Sequence, residues 1–137
     1  MEEATEFLAC RYRPDTGTMV CRWLREVSEA EIRTGYAYLF AEAQQADCWR
    51  WLLDIRRRNN DDPEMAQWLL DEVTLTKRGH VGGSISMAYL LSPHHLAHAD
   101  KQLSTLVEVA HSRQQAQVAL FIEEGAANEW LAQQASS

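Results

Sequence analysis

The run Cys48-Trp49-Arg50-Trp51-Leu52-Leu53-Asp54-Ile55 leads directly into Arg56-Arg57-Arg58-Asn59-Asn60-Asp61-Asp62-Pro63. The first half is aromatic and branched aliphatic, the composition of a buried strand. The second half is too polar to bury. It closes on a helix start, with Asp62 as N-cap and Pro63 at the first helical position. A strand that runs into a charged loop and then a helix is half of a βαβ unit. In open α/β sheets, binding surfaces gather beyond the carboxyl ends of the strands. The loop after Ile55 is therefore the expected working surface.

Upstream, Phe7 to Arg13 and Thr18 to Leu24 read as two strands joined by Pro14-Asp15-Thr16-Gly17, four residues with turn chemistry. Pairing Arg13 with Thr18 puts Leu8, Cys10 and Tyr12 on one face with Met19, Cys21 and Trp23. Arg11, Arg13, Thr18 and Arg22 fall on the other. A slip of one residue would scramble that segregation. The same register sets Cys10 opposite Cys21, read as two small core thiols rather than a bridge. Ser28-Glu29-Ala30-Glu31 fits a capping box for a helix that buries Ile32, Tyr36, Leu39, Phe40 and Ala43 and ends near Asp47.

Downstream, a second helix is expected over 63–76, with Met65, Trp68, Leu69 and Val73 as its apolar stripe and Gly79 as its cap. Ser84 to Leu91 reads as an interior parallel strand. Ser92-Pro93 opens a third helix reaching about Gln114. Gln117 to Ile122 is a last strand, and Glu123 to Gln134 a last helix burying Ala127, Trp130 and Leu131. The expected fold is α/β, in the order β-β-α-β-α-β-α-β-α. It has a mixed four- to five-stranded sheet, an N-terminal antiparallel hairpin and four helices. Residues 1–137 form one domain, with 1–5 and 135–137 expected to fray.

The chain has 20 acidic and 13 basic side chains, a net charge of −7, which opposes general binding to nucleic acid or anionic membrane. The acidic N-terminus lacks the regions of a signal peptide, and no apolar run approaches the ~20 residues of a membrane span. Three cysteines, none in a CxxC pair, complete the expectation of a reduced, cytoplasmic protein with no integral membrane segment.

With Trp51-Leu52-Leu53-Asp54-Ile55-Arg56-Arg57, Met87-Ala88-Tyr89-Leu90-Leu91-Ser92 and Phe121 followed by Ala127, Trp130 and Leu131, this order resembles the STAS domain. More narrowly, it is similar to small stand-alone STAS-like proteins of bacteria. The resemblance implies a partner-binding role in a regulatory or signalling complex, with a kinase or a sigma-factor regulator as the class of partner. Anti-sigma-factor antagonists carry a phosphorylatable serine after this strand. Here Asn59-Asn60-Asp61-Asp62-Pro63-Glu64 stands there, with no Ser, Thr or Gly, so the resemblance does not extend to a phospho-switch.

Candidate binding residues are Arg56, Arg57, Arg58, Asn59, Asn60, Asp61, Asp62 and Glu64. Two readings stay open for the arginines. Their guanidinium forks, next to a helix start, suit a carboxylate or phosphate. Alternatively Asp61, Asp62 and Glu64 neutralise them in a solvated network. Asp54 is read as ordering the Arg56 loop through backbone hydrogen bonds. His94 and His98 have the spacing of half a metal site with nothing to complete it, so neither a metal nor another cofactor is expected. No nucleophile, acid–base pair or nucleotide-binding loop can be assembled, and the chain reads as non-enzymatic. The main functional expectation is a protein-interaction module working through the loop and helix start after the central strand. The alternative is a binder of a small anionic or lipidic ligand, in a cavity lined by Tyr36, Phe40, Met87 and Tyr89.

Overall fold

A computed structural model of the chain describes residues 2–4, 7–57, 68, 71, 85–93 and 116–134. Six strands form one sheet in sequential order: β1 (Glu2–Ala4), β2 (Leu8–Arg13), β3 (Thr18–Trp23), β4 (Arg50–Asp54), β5 (Ile85–Leu90) and β6 (Ala116–Phe121). The β1–β2 and β2–β3 pairs are antiparallel, and the three later pairs are parallel. Helix α1 (Glu29–Ala46) connects β3 to β4, and α2 (Glu124–Gln133) follows β6.

The fold is α/β with a mixed sheet, but its element count corrects the sequence reading. Among the described residues there are two helices rather than four, and six strands rather than four or five. The extra strand, β1, pairs Glu2 with Arg11 and Ala4 with Ala9. Glu-Glu-Ala has no strand signal of its own, so it is the open edge of β2 that recruits it. The helices expected over 63–76 and 94–114 lie outside the described residues, apart from single helical positions at Trp68, Asp71 and Pro93.

The hairpin register is the expected one: Arg13 faces Thr18, Cys10 faces Cys21, and Leu8 faces Trp23. Gly17 closes the turn at φ 68°, its N–H donating 2.8 Å to the Arg13 carbonyl, a conformation that favours glycine. The Cys10 and Cys21 Sγ atoms lie 2.8 Å apart as free, buried thiols. Burial pushes the Cys21 thiol up, and its hydrogen bond with Cys10 adds to the effect.

Helix α1 begins at the capping box. The Glu31 N–H donates to Ser28 Oγ at 3.2 Å, and the Ser28 N–H donates to Glu31 Oε1 at 2.9 Å. Its apolar face (Ile32, Tyr36, Leu39, Phe40 and Ala43) packs on the sheet face formed by Leu8, Met19, Trp23, Trp51, Leu53 and Met87. A Cβ on Gly35 would run into the Trp23 ring, so α1 carries a glycine where the helix meets that ring most closely. Trp68 extends this core, with its ring 6.2 Å from that of Tyr36.

The opposite sheet face is covered by α2 through Val20, Leu52, Ala88, Leu90, Ala127 and Leu131, with Phe121 and Trp130 packed alongside. Strands β4 and β5 are thus buried on both faces, as interior parallel strands are. The chain leaves β3 towards one face and β6 towards the other. A crevice opens between those diverging paths at the carboxyl edge of the sheet.

Candidate functional site

The crevice is organised around Asp54, the last residue of β4. Parallel pairing with β3 sets Asp54 directly beside Arg22. Asp54 is 5% exposed as a residue, and its carboxylate accepts from four donors. Arg22 Nη1 reaches Oδ2 at 2.9 Å, Arg56 Nη2 reaches Oδ2 at 2.8 Å, and Arg56 Nε and the Arg56 backbone N–H reach Oδ1 at 2.9 and 3.1 Å. The loop-ordering role expected for Asp54 is present in that backbone bond. Burial pushes the Asp54 carboxyl up, but the Arg56 and Arg22 hydrogen bonds outweigh it and hold the group below its ordinary range.

Arg22 continues the chain of charges. It forks Glu124, in the first turn of α2, with Nη1 to Oε1 and Nη2 to Oε2, both 3.0 Å. The Arg22 guanidinium lowers the Glu124 carboxyl in turn. Arg56, Asp54, Arg22 and Glu124 therefore form one alternating network across three separate segments of chain. Beside it lies a cleft of about 610 Å³, lined by these four residues with Arg57, Trp23 and Leu24. Its described walls hold three guanidinium groups against two carboxylates, a local positive surplus on a chain of net charge −7. Arg57 is exposed and, among the described residues, has no ion-pair partner.

Of the residues proposed from sequence, Arg56 and Arg57 line this cleft, but they differ in role. Arg56 is committed to Asp54 through two side-chain bonds, whereas Arg57 is exposed and has no ion-pair partner among the described residues. Arg58, Asn59, Asn60, Asp61, Asp62 and Glu64 lie outside the described residues, as do His94 and His98. Arg22 and Glu124 were not selected from sequence. The signal for Arg22 was its place on the polar hairpin face. Nothing in the sequence joins it to a residue 102 positions away.

The residues expected to line a ligand cavity under α1 belong to the buried core cluster. Tyr36, Phe40, Met87 and Tyr89 are all buried, and the Tyr36 and Tyr89 hydroxyls meet at 2.7 Å. Arginine forks arranged in this way are chemically suited to oxyanions and other polar groups. Both Asp54 oxygens are already engaged by arginines, which leaves that carboxylate poorly placed to act as a base. Among the described residues no group of His, Cys, Asp and Glu is arranged to hold a metal ion, and no helix is long and apolar enough to cross a membrane. Comparison with protein-family models, with curated proteins and with solved structures gives no match.

Proposed function

We propose that the chain is a non-enzymatic interaction module that engages a protein partner through the carboxyl edge of its sheet. One observation carries this reading. Among the described residues two large apolar side chains stand exposed, Leu24 at 36% and Ile122 at 45%. Both lie at this edge, immediately after β3 and β6, with the arginine cleft between their strands. Apolar anchors beside arginine are the composition of protein interfaces, where Arg and large side chains concentrate binding energy. Free thiols at Cys10, Cys21 and Cys48 fit a reducing, cytoplasmic setting. The resemblance of Trp51 to Arg57 and Met87 to Ser92 to STAS-like domains supports a bacterial regulatory complex, with a kinase or sigma-factor regulator as partner. Residues 56–64 contain no Ser, Thr or Tyr, so occupancy of the surface follows partner availability rather than phosphorylation there.

The test is site-specific photo-crosslinking in cells. A photoreactive residue at position 24 or 122 should trap one protein. The same residue at exposed Gln44 on α1 should not, and Arg57→Glu should abolish trapping at 24 and 122. Equal trapping from all three positions, or trapping that survives Arg57→Glu, refutes the reading.

A further inference from the structure

We infer that Glu124 is a built-in occupant of an oxyanion site, holding Arg22 in the place where a carboxylate or phosphate group of a partner polypeptide binds between Arg22 and Arg57. This rests on the reading of the carboxyl edge as the working surface and names the chemistry that surface takes.

Four observations combine. Arg22 presents both terminal nitrogens of its fork to Glu124 at 3.0 Å, the bidentate geometry with which arginine receives carboxylate and phosphate. That pair is open to water, with side chains 38% and 36% exposed, so an outside anion can exchange for Glu124 at little cost. Arg57 lines the same cleft with no ion pair among the described residues, so a second guanidinium stands ready for the incoming group. Asp54 holds Arg56 and Arg22 from behind, which fixes the site before any ligand arrives.

Glu124 brings the amino end of α2 to the same cleft. Its N-cap, Glu123, makes no side-chain capping bond, and among the described residues nothing lies within 4 Å of where a Gly125 Cβ would stand. When Glu124 swings away, an oxyanion meets three arginines and one carboxylate rather than three and two. Glu124 therefore acts as a competitor. It keeps weak anions off the surface and yields to a group that also engages Arg57. Nothing covalent changes in this exchange.

The experiment uses the full chain labelled with ¹⁵N. Inorganic phosphate and, separately, acetate are titrated at constant ionic strength against chloride, following the Arg22 and Arg57 Nε–H signals and the Gly125 amide. A saturable shift at these three groups is expected with phosphate, with acetate, or with both. The responding anion then names the partner's group as phosphate or carboxylate. Glu124→Gln should tighten binding roughly tenfold, the scale of one charge-assisted pair, and Arg57→Gln should weaken it by a similar factor. A chain that shifts no more with either anion than with chloride overturns the inference, even where position 24 still traps its partner. So does a folded Glu124→Gln variant that binds no tighter than the parent.

Discussion

Arg22 and Asp54 stand side by side in register on parallel strands and share a 2.9 Å ion pair at the carboxyl edge of the sheet. Residues at or next to the ends of two strands are thereby joined to a loop by Arg56 and to a helix by Glu124. The pair sits where the two faces of the sheet send their chain in opposite directions, and it links β3, β4 and α2 at the rim of the core that Val20, Leu52, Ala127 and Leu131 share. The same four side chains brace this edge and line its cleft.

Replacing Asp54 by Asn should cost about 2 kcal/mol, below the ~3–5 kcal/mol of breaking a fully buried pair, because both arginines are well exposed and screened. Asn keeps the volume but loses the charge that both guanidinium groups face. Urea denaturation measures the loss. In combination with Arg22→Gln the two costs should fall short of additivity by about 1 kcal/mol, since one interaction is removed twice. Strict additivity means that Arg22 and Asp54 do not interact in solution.

Acid should weaken the fold through these carboxylates. Asp54 and Glu124 are held below their ordinary range, and Glu31, in the capping box with Arg25, is lowered from 4.5 to about 2. A depressed folded value means that the native state holds the proton less tightly than the unfolded chain. The stabilisation is therefore complete above the ordinary carboxylate range near pH 4 and is lost as pH falls through the folded values. Thermal melts at constant salt should be level from neutrality to about pH 5 and then decline towards pH 2. Asp54→Asn with Glu31→Gln should flatten that decline; an unchanged slope would place the acid sensitivity elsewhere.

Much of this architecture is legible in the chain itself, and the rest has identifiable reasons for being hidden. The hairpin register follows from alternation and from Pro14 to Gly17, and α1 announces itself through Ser28 and Glu31, because both signals are local. Strand β1 carries no such signal, since Glu2-Glu3-Ala4 joins the sheet through the backbone of β2. Tyr36, Phe40, Met87 and Tyr89 read equally well as cavity wall or core from sequence, and it is the packing of α1 on the sheet that puts all four in one buried cluster. The site was half visible. Asp54, Arg56 and Arg57 are contiguous with a strand end, whereas Arg22 and Glu124 join them only once the strand order and the side taken by α2 are known.

Helix propensity and packing give opposite signs at Gly35. In an exposed helix interior, Gly→Ala gains about 1 kcal/mol. Here the added methyl would strike the Trp23 ring, which is 2% exposed and fixed against Tyr36 and Phe7. Overpacking of this kind costs ~1–3 kcal/mol, so Gly35→Ala should destabilise the protein and shift the tryptophan near-ultraviolet dichroism. A stabilised variant would show that α1 can move off the sheet freely.

The two ends of α2 are held by arginines from neighbouring strands, and they should come loose separately. At its amino end Glu124 receives the Arg22 fork. At its carboxyl end Arg50 Nη1 donates to the Leu131 carbonyl at 3.3 Å, while Nη2 donates to the Thr16 carbonyl at 3.0 Å. A cation there offsets the negative end of the helix and serves a carbonyl that lies in the last turn. The same side chain also clasps the hairpin turn, so one substitution should relax two places far apart in sequence. Arg50→Gln should cost about 1 kcal/mol, as the two bonds to carbonyls are long or partly exposed. Native-state hydrogen exchange should quicken at Gly17 and over 131–134, with the amino end of α2 unaffected. Arg22→Gln should produce the complementary pattern, quickening exchange at 125–127 and leaving the turn alone. If both variants loosen all of α2 alike, the helix opens as one unit and the two arginines are not independent clasps.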